Sequence, residues 1–135
     1  MADITVTAGD VVADAGASTR NGIAGATITA GQAVYVHADG TIQPARANAE
    51  ATAVLAGVAL NGAATGQPVS YITRGTYTAG ATVAAGTVYV LSAAAAGGIA
   101  PEADLVNPNR VSLLGVGISA TKIMVSRINT GVAHA

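Results

Sequence analysis

With 135 residues and a formal net charge of −1, the chain has the length of one domain with a single core. A hydrophobic content of 51% at so low a net charge excludes an intrinsically disordered chain, and the absence of cysteine excludes disulfide scaffolds and zinc–thiolate sites. Six basic against seven acidic residues leave no electrostatic footprint for a nucleic-acid partner.

Residues 1–22 are expected to form an extended N-terminal arm. The segment 1–19 carries three aspartates and no basic side chain, and it lacks the basic and apolar regions of a secretory signal. The dipeptide Asn21-Gly22 predicts a turn at the end of the arm. Because exposed apolar side chains on unpaired strands recruit partners, the arm supplies four candidate contact residues, namely Ile4, Val6, Val11 and Val12. Deletion of residues 1–19 is expected to leave the rest of the domain folded.

Short β-branched runs separated by turn residues predict an all-β domain over residues 23–135. Residues 33–43 are predicted to form a hairpin, because Asp39-Gly40 supplies the positive φ angles of a tight turn. Further strands are predicted at 54–60, 69–73, 87–91, 112–118 and 122–128, with one short helix at 45–52 and turns at 61–62, 66–68 and 108–109. This spacing indicates a small β-sandwich or barrel-like body.

The domain is predicted to consist of two tandem β-repeats, at about 23–74 and about 75–130. The sequence GATITAG at 25–31 recurs as GATVAAG at 80–86, AGVAL at 56–60 matches LGVGI at 114–118, and three further matches keep the same order with offsets between 54 and 58 residues. Gly57 and Gly115 fall at matching strand positions, which predicts close backbone packing rather than ligand binding. Tyr35 and Tyr89 also match and complete the candidate contacts, as anchors of the core or of an interface.

Each repeat contains few bulky side chains, because 32 residues are alanine and Phe and Trp are absent. One unit alone would bury too little apolar area to offset chain entropy. Pairing of the two units, and self-association of the chain, are therefore expected to add stability.

The 27 residues from 75 to 101 carry no charge. Five glycines and a large alanine content argue against a membrane-spanning helix there, and no membrane partner is expected. An uncharged run of this length instead predicts strands buried on both faces, or a surface that another molecule covers.

Candidate catalytic residues are few. His37 and Asp39 flank the predicted turn and could form a pair, which Ser70 could join only through the tertiary fold. Glu102 and Asp104 could act as paired carboxylates, but neighbouring prolines favour a solvated loop. A phosphate-binding loop and calcium-loop spacing are absent from the sequence, so no metal or other cofactor is expected.

Several segments resemble small virion proteins of tailed bacteriophages, namely the capsid decoration, or cement, proteins. They are NGIAGATITAGQ at 21–32, LAGVAL at 55–60, GQPV at 66–69, GTVYVLS at 86–92, GGIAP at 97–101 and LGVGI at 114–118. The likeness covers roughly residues 20–130. It implies a β-rich body, commonly trimeric, that sits on the outer capsid surface at threefold positions. It also implies terminal arms that touch neighbouring major capsid subunits, and no catalytic residues.

We therefore expect a noncatalytic virion structural protein, a homotrimer that stabilises a phage capsid by bridging subunits of the phage major capsid protein. Such a protein is soluble in the host cytoplasm before assembly and lies on the outer surface of the virion afterwards. Attachment to several subunits at once converts weak contacts into stable ones. The alternative is a receptor- or glycan-binding module of a phage head or tail fibre, and an enzyme is not expected.

Overall fold

The structure is a computed structural model, and it describes residues 4–47, 54–92, 97–102 and 110–133. A short 3-10 turn at Ala8–Asp10 precedes the strands. The strands are β1 (Val11–Ala13), β2 (Ser18–Ile23), β3 (Ala33–Val36), β4 (Ile42–Pro44), β5 (Gly57–Ala59), β6 (Pro68–Ala79), β7 (Val88–Leu91), β8 (Ile99–Pro101), β9 (Arg110–Gly117) and β10 (Lys122–Ala133).

The strands form one antiparallel sheet that curls into a half-barrel. Its order is β4-β3-β5-β6-β10-β9-β7-β8. Strands β1 and β2 are not part of this order, and each of them pairs with β6. The predicted all-β, barrel-like fold is confirmed. Part of the uncharged run is covered on both faces, since three consecutive residues of β7, Tyr89, Val90 and Leu91, are buried, whereas Val88 of the same strand is 37% exposed.

The strand order is symmetric about its centre. The strands β3 to β6 are arranged as β4-β3-β5-β6, and β7 to β10 repeat this arrangement in reverse. Val34 pairs with Gly57 as Tyr89 pairs with Gly115. The register therefore equates the two glycines, as predicted, but it matches Tyr89 with Val34 rather than with Tyr35. The predicted match of the two Tyr-Val dipeptides is therefore displaced by one residue from the match that strand pairing gives. A register shift follows Tyr89 in the structure.

The matched glycines stand where two backbones approach closely. A Cβ atom on Gly57 would overlap the carbonyl oxygen of Ile72, and one on Gly115 would overlap the carbonyl oxygen of Met124. Both contacts are with the neighbouring strand, β6 in one half and β10 in the other. The prediction of close backbone packing at these positions is confirmed.

The long strand β6 belongs to both halves of the sheet. At Tyr71 and Ile72 it lies between β5 and β2, and at Tyr77 and Thr78 it lies between β10 and β1. Gly75, between these two parts, has a φ of +110°, a conformation that favours glycine. The strand thus changes partners at its middle, and the two halves of the sheet diverge there.

Arg127 on β10 links the halves where they diverge. Its Nε donates a hydrogen bond to the carbonyl oxygen of Thr73 at 2.9 Å, and its Nη1 donates to that of Leu55 at 3.2 Å. The first acceptor lies on β6 and the second just before β5. A single side chain therefore supplies donors to two carbonyl groups on the other half of the sheet.

The N-terminal segment lies along the body instead of projecting from it. The backbone N–H groups of Ile4 and Thr7 donate to the carbonyl oxygens of Ile99 (2.8 Å) and Gly80 (2.7 Å), so residues 4–7 connect β8 with the end of β6. Strands β1 and β2 then pair along β6. This pairing reverses the expectation for deletion of residues 1–19, because the deletion would remove a built-in part of the sheet.

The exposure expected of the N-terminal candidates holds only for Val12, which is 58% exposed. Val11 is buried, and Ile4 and Val6 are partly buried and pack against the core. The cause is the alternation of β1, whose pairing with β6 turns Val11 inward and Val12 outward.

The predicted turn at Asn21-Gly22 is wrong, because both residues lie within β2. The glycine serves a different purpose there. A Cβ on Gly22 would come within 2.6 Å of Cγ1 of Ile42, so the absent side chain leaves room for Ile42. The chain then continues to Ala24, which forms an isolated bridge with Ile42 of β4.

The remaining predicted elements are found where the structure describes them. The hairpin at 33–43 is confirmed as β3 and β4, but only Gly40 in its turn has a positive φ, at +87°, and Asp39 does not. The other five predicted strands correspond to β5, β6, β7, β9 and β10. Most of the predicted helix at 45–52 and the turn at 108–109 lie outside the described residues.

The core consists of two clusters of buried side chains. The larger contains Tyr35, Tyr77 and Tyr89 together with aliphatic residues of both halves, and the smaller contains Val34, Ile42, Val69 and Tyr71. Of the two alternatives for Tyr35 and Tyr89, core or interface, the core is what is found in this chain, at 8% and 3% exposure.

Candidate functional site

The outer face of the second half of the sheet carries a row of apolar side chains. The register places Thr76 opposite Met124, Met124 opposite Val116, and Val116 opposite Val88, on four neighbouring strands. Cross-strand partners project to the same face of a sheet. Met124 is 45% exposed and Val88 37%. We call Val88, Val116 and Met124 the apolar row.

A second set of exposed apolar residues extends this face. Val12 lies opposite Thr78, and Thr78 lies opposite Lys122 on the other side. The backbone N–H of the exposed Ile118 donates to the carbonyl oxygen of Lys122 at 3.0 Å. Four exposed large hydrophobic residues, Val12, Val88, Ile118 and Met124, therefore lie in this region. Exposed apolar patches with a polar rim are typical of interaction sites.

A groove with basic side chains adjoins the apolar row. Its volume is about 490 Å³, and its walls come from β2, β6 and β10; they are formed by Ser18, Thr19, Arg20, Thr73, Arg74, Ser126 and Arg127. Arg74 pairs with Ser18 on one side and with Ser126 on the other, which brings the three strands into one row. We call these seven residues the basic groove. Ser126 is two residues from Met124, so the groove and the apolar row share β10.

The groove is strongly positive for so neutral a chain. It holds three of the six basic side chains of the sequence, and no acidic residue lines it. Among the described residues, Asp14 instead accepts hydrogen bonds from Nζ of Lys122 at 2.8 and 3.0 Å. Asp39 lies in the turn between β3 and β4. The groove therefore offers guanidinium groups and hydroxyl groups without a neighbouring carboxylate.

The His37–Asp39 pair does form, but without a nucleophile. Nδ1 of His37 is 3.2 Å from Oδ1 of Asp39, and both side chains are exposed. Asp39 also accepts hydrogen bonds from Oγ1 and the backbone N–H of Thr41, which lower the pKa of its carboxyl below the ordinary value. The hydroxyl of Ser70 donates to Oδ1 of Asn21 at 2.6 Å. The pair thus stabilises a turn, and these contacts assemble no catalytic triad.

Aromatic residues do not contribute to the outer surface. Phe and Trp are absent, and the tyrosines are all buried in the core, at exposures between 1% and 8%. A platform on which sugar rings or nucleobases could stack is therefore missing from the described surface.

The described ranges contain neither a set of side chains suited to a metal ion nor a helix suited to cross a membrane. Within them, no three His, Asp or Glu side chains come together as a set that could hold a metal ion. Within the same ranges, no helix has the length and the apolar character needed to cross a membrane. Glu102 is described, whereas Asp104 lies outside the described residues, so their pairing stays a prediction.

Sequence reasoning missed the basic groove entirely. Its arginines are separated by more than fifty residues along the chain, and no sequence motif links them. Only the register of β2, β6 and β10 brings them together. Of the six predicted contact residues, Val12 alone reaches the outer face.

No protein-family model matches the chain and no curated protein is significantly similar to it, so a functional proposal rests on the fold, the outer face and the resemblance noted in the sequence.

Proposed function

We propose that this protein is a noncatalytic virion structural protein that decorates a phage capsid and stabilises it by bridging major capsid subunits. The observation that carries the proposal is the outer face, where an apolar row and a basic groove lie side by side on one sheet. Such a surface offers area and charge to a large protein partner. It offers a small substrate neither a closed pocket nor a reactive group.

The composition of the core supports the same function. Nine of the 28 buried hydrophobic residues that the structure describes are alanine, and each of these buries little apolar area. A protein of this kind gains stability when further apolar surface is covered by copies of itself and by a shell. As a homotrimer on the outer surface of the capsid, it would engage several shell subunits at once, and multivalent attachment would hold it there.

The alternative, a receptor- or glycan-binding module of a head or tail fibre, receives no comparable support. Glycan-binding surfaces commonly use exposed aromatic rings, and every tyrosine of this chain is buried. The alternative is retained as an outcome of the experiment below.

The experiment is co-sedimentation with expanded, undecorated capsids of the phage whose genome encodes the chain. We expect the wild-type protein to sediment in fixed stoichiometry with the shell lattice and to raise the temperature at which the heads rupture. Met124→Gln should bind about tenfold more weakly, because it replaces an apolar contact with a polar side chain at every attached copy. Ile23→Gln is the matched control, because Ile23 is 49% exposed, comparable to Met124 at 45%, but lies outside the row and the groove.

Binding to host cells or to glycans, without binding to capsids, would contradict the proposal and favour the alternative. Equal loss of capsid binding in both variants would contradict the assignment of the outer face.

A further inference from the structure

We propose that the basic groove binds an extended acidic segment of the shell protein, whose carboxylates pair with Arg20, Arg74 and Arg127. The inference rests on the proposed function and adds the chemistry of the partner to it. The open shape of the groove between three strands admits a polypeptide segment in the extended conformation.

Charge complementarity is the first argument for an acidic partner. Within the described ranges no salt bridge joins Arg20 or Arg74 to an acidic residue, and the acidic residues described there lie outside the groove. Guanidinium groups match carboxylates in planar, bidentate geometry. A segment with carboxylates would supply counter-charges that the groove lacks.

Preorganisation is the second argument. Arg127 already uses two of its five N–H donors on the carbonyl oxygens of Thr73 and Leu55, which fixes the plane of its guanidinium group. Its remaining donors are held in place before a ligand arrives, so binding costs less side-chain entropy there. The hydroxyl groups of Ser18, Thr19 and Ser126 line the same groove and can donate to carboxylate oxygens.

A nucleic acid fits the same charges less well. Affinity for nucleic acid comes from neutralising many phosphates along a strand, and this chain has a net charge of −1 with only six basic residues. Single strands also stack on aromatic side chains, which are all buried here. A short acidic peptide needs neither a long positive surface nor an aromatic platform.

The neighbouring apolar row argues for a polypeptide and not an isolated anion. The outward-facing Ser126 and Met124 are successive residues on one face of β10, so a ligand in the groove comes close to the row. A partner segment that combines acidic and apolar side chains could contact both surfaces at once.

The test is a titration of the full-length protein, followed by NMR, with a capped hexapeptide of alternating Glu and Thr. We expect saturable binding at millimolar peptide, with shift changes in the groove strands and loss of binding at high salt. The peptide with Gln in place of Glu should not bind. Arg74→Gln should weaken binding at least fivefold, while Arg46→Gln, which removes one positive charge outside the groove, should change it less than twofold. Arg20→Gln provides a second variant should Arg74→Gln fold poorly, and Arg127 is avoided because it also links the two halves.

Several results would overturn the inference: no saturable binding of the Glu peptide, binding by Arg20→Gln and Arg74→Gln as tight as that of the wild-type protein, or tighter binding of an oligothymidylate with the same number of charges. The capsid assay separates this inference from the proposed function. If wild-type protein and Arg74→Gln sediment equally with capsids, the groove is not the shell contact, although decoration stands. If wild-type protein fails to bind capsids while the peptide binds as described, the proposed function and its shell partner fail, and only the acidic chemistry of the ligand is retained.

Discussion

At the level of single residues, two buried tyrosines differ in the hydrogen bonding of their hydroxyl groups. The hydroxyl of Tyr89 accepts a hydrogen bond from the backbone N–H of Ala84 at 2.9 Å. The hydroxyl of Tyr77 is buried without a hydrogen-bond partner among the described residues. A buried polar group without a partner costs free energy, whereas a satisfied one contributes to stability.

Tyr77→Phe should therefore leave the free energy of unfolding unchanged or raise it by about 1 kcal/mol. Tyr89→Phe, the matched control, should lower it by about 1 kcal/mol because the N–H of Ala84 loses its acceptor. Urea denaturation of both variants measures the difference. A loss of stability in Tyr77→Phe as large as that in Tyr89→Phe would show that the hydroxyl of Tyr77 has a partner.

The same residue predicts a response to alkaline pH. Burial raises the pKa of Tyr77 above its ordinary value. In the unfolded chain the phenol of Tyr77 loses its proton above a pH of about 10, whereas in the folded chain the phenol stays protonated. The free energy of unfolding therefore falls as pH rises through that range. Between pH 9 and pH 11 the wild-type protein should lose about 1.4 kcal/mol more than Tyr77→Phe. An identical pH profile for the two proteins would contradict this assignment.

Glycine positions give a third prediction at this scale. Gly115→Ala should destabilise the fold by about 2 kcal/mol, because its Cβ would overlap the carbonyl oxygen of Met124 on β10. Gly9→Ala is the control, since a Cβ there would meet no atom within 4 Å, and it should change stability by less than about 0.5 kcal/mol. Thermal and urea unfolding test both variants. Equal stability of the two would mean that β9 and β10 are not as close as described.

At the level of elements, the N-terminal segment closes the second half of the sheet. Deletion of residues 1–10 removes the hydrogen bonds of Ile4 and Thr7 and the packing of Val6, and should cost about 3 kcal/mol of stability. Deletion of residues 1–3 keeps those contacts and serves as the control. Urea denaturation and binding of a hydrophobic dye measure the effect. If the longer deletion unfolds at the same urea concentration as the control, the segment is an arm after all.

The elements also show what the sequence could predict. The hairpin of β3 and β4 was predictable because alternation and Asp39-Gly40 are local signals. Strand β2 was not, because four of its six residues STRNGI are polar and its glycine makes room for Ile42 from a distant strand. The same holds for the site, since the pairing of Arg74 with Ser18 and Ser126 depends on the register of strands far apart in the chain. The pairing of strands far apart in the chain, and not local sequence preference, determines both strand β2 and the position of the groove arginines.

For the whole molecule, the symmetric sheet explains how a chain with few bulky residues builds a folded body. The two halves share β6 and meet at Arg127, so the core of each half is extended by the other. The outer face remains uncovered in the single chain, with the apolar row beside the basic groove. On the proposed function, this face is where copies and the shell add the contacts that the small-residue core lacks.

The most direct test of this account is cryo-electron microscopy of capsids decorated with the protein. We expect density for threefold clusters of the chain on the outer capsid surface, with Met124 and Arg74 turned toward the major capsid subunits. Absence of the protein from the shell, or a bound orientation in which the apolar row and the basic groove both face solvent, would contradict it.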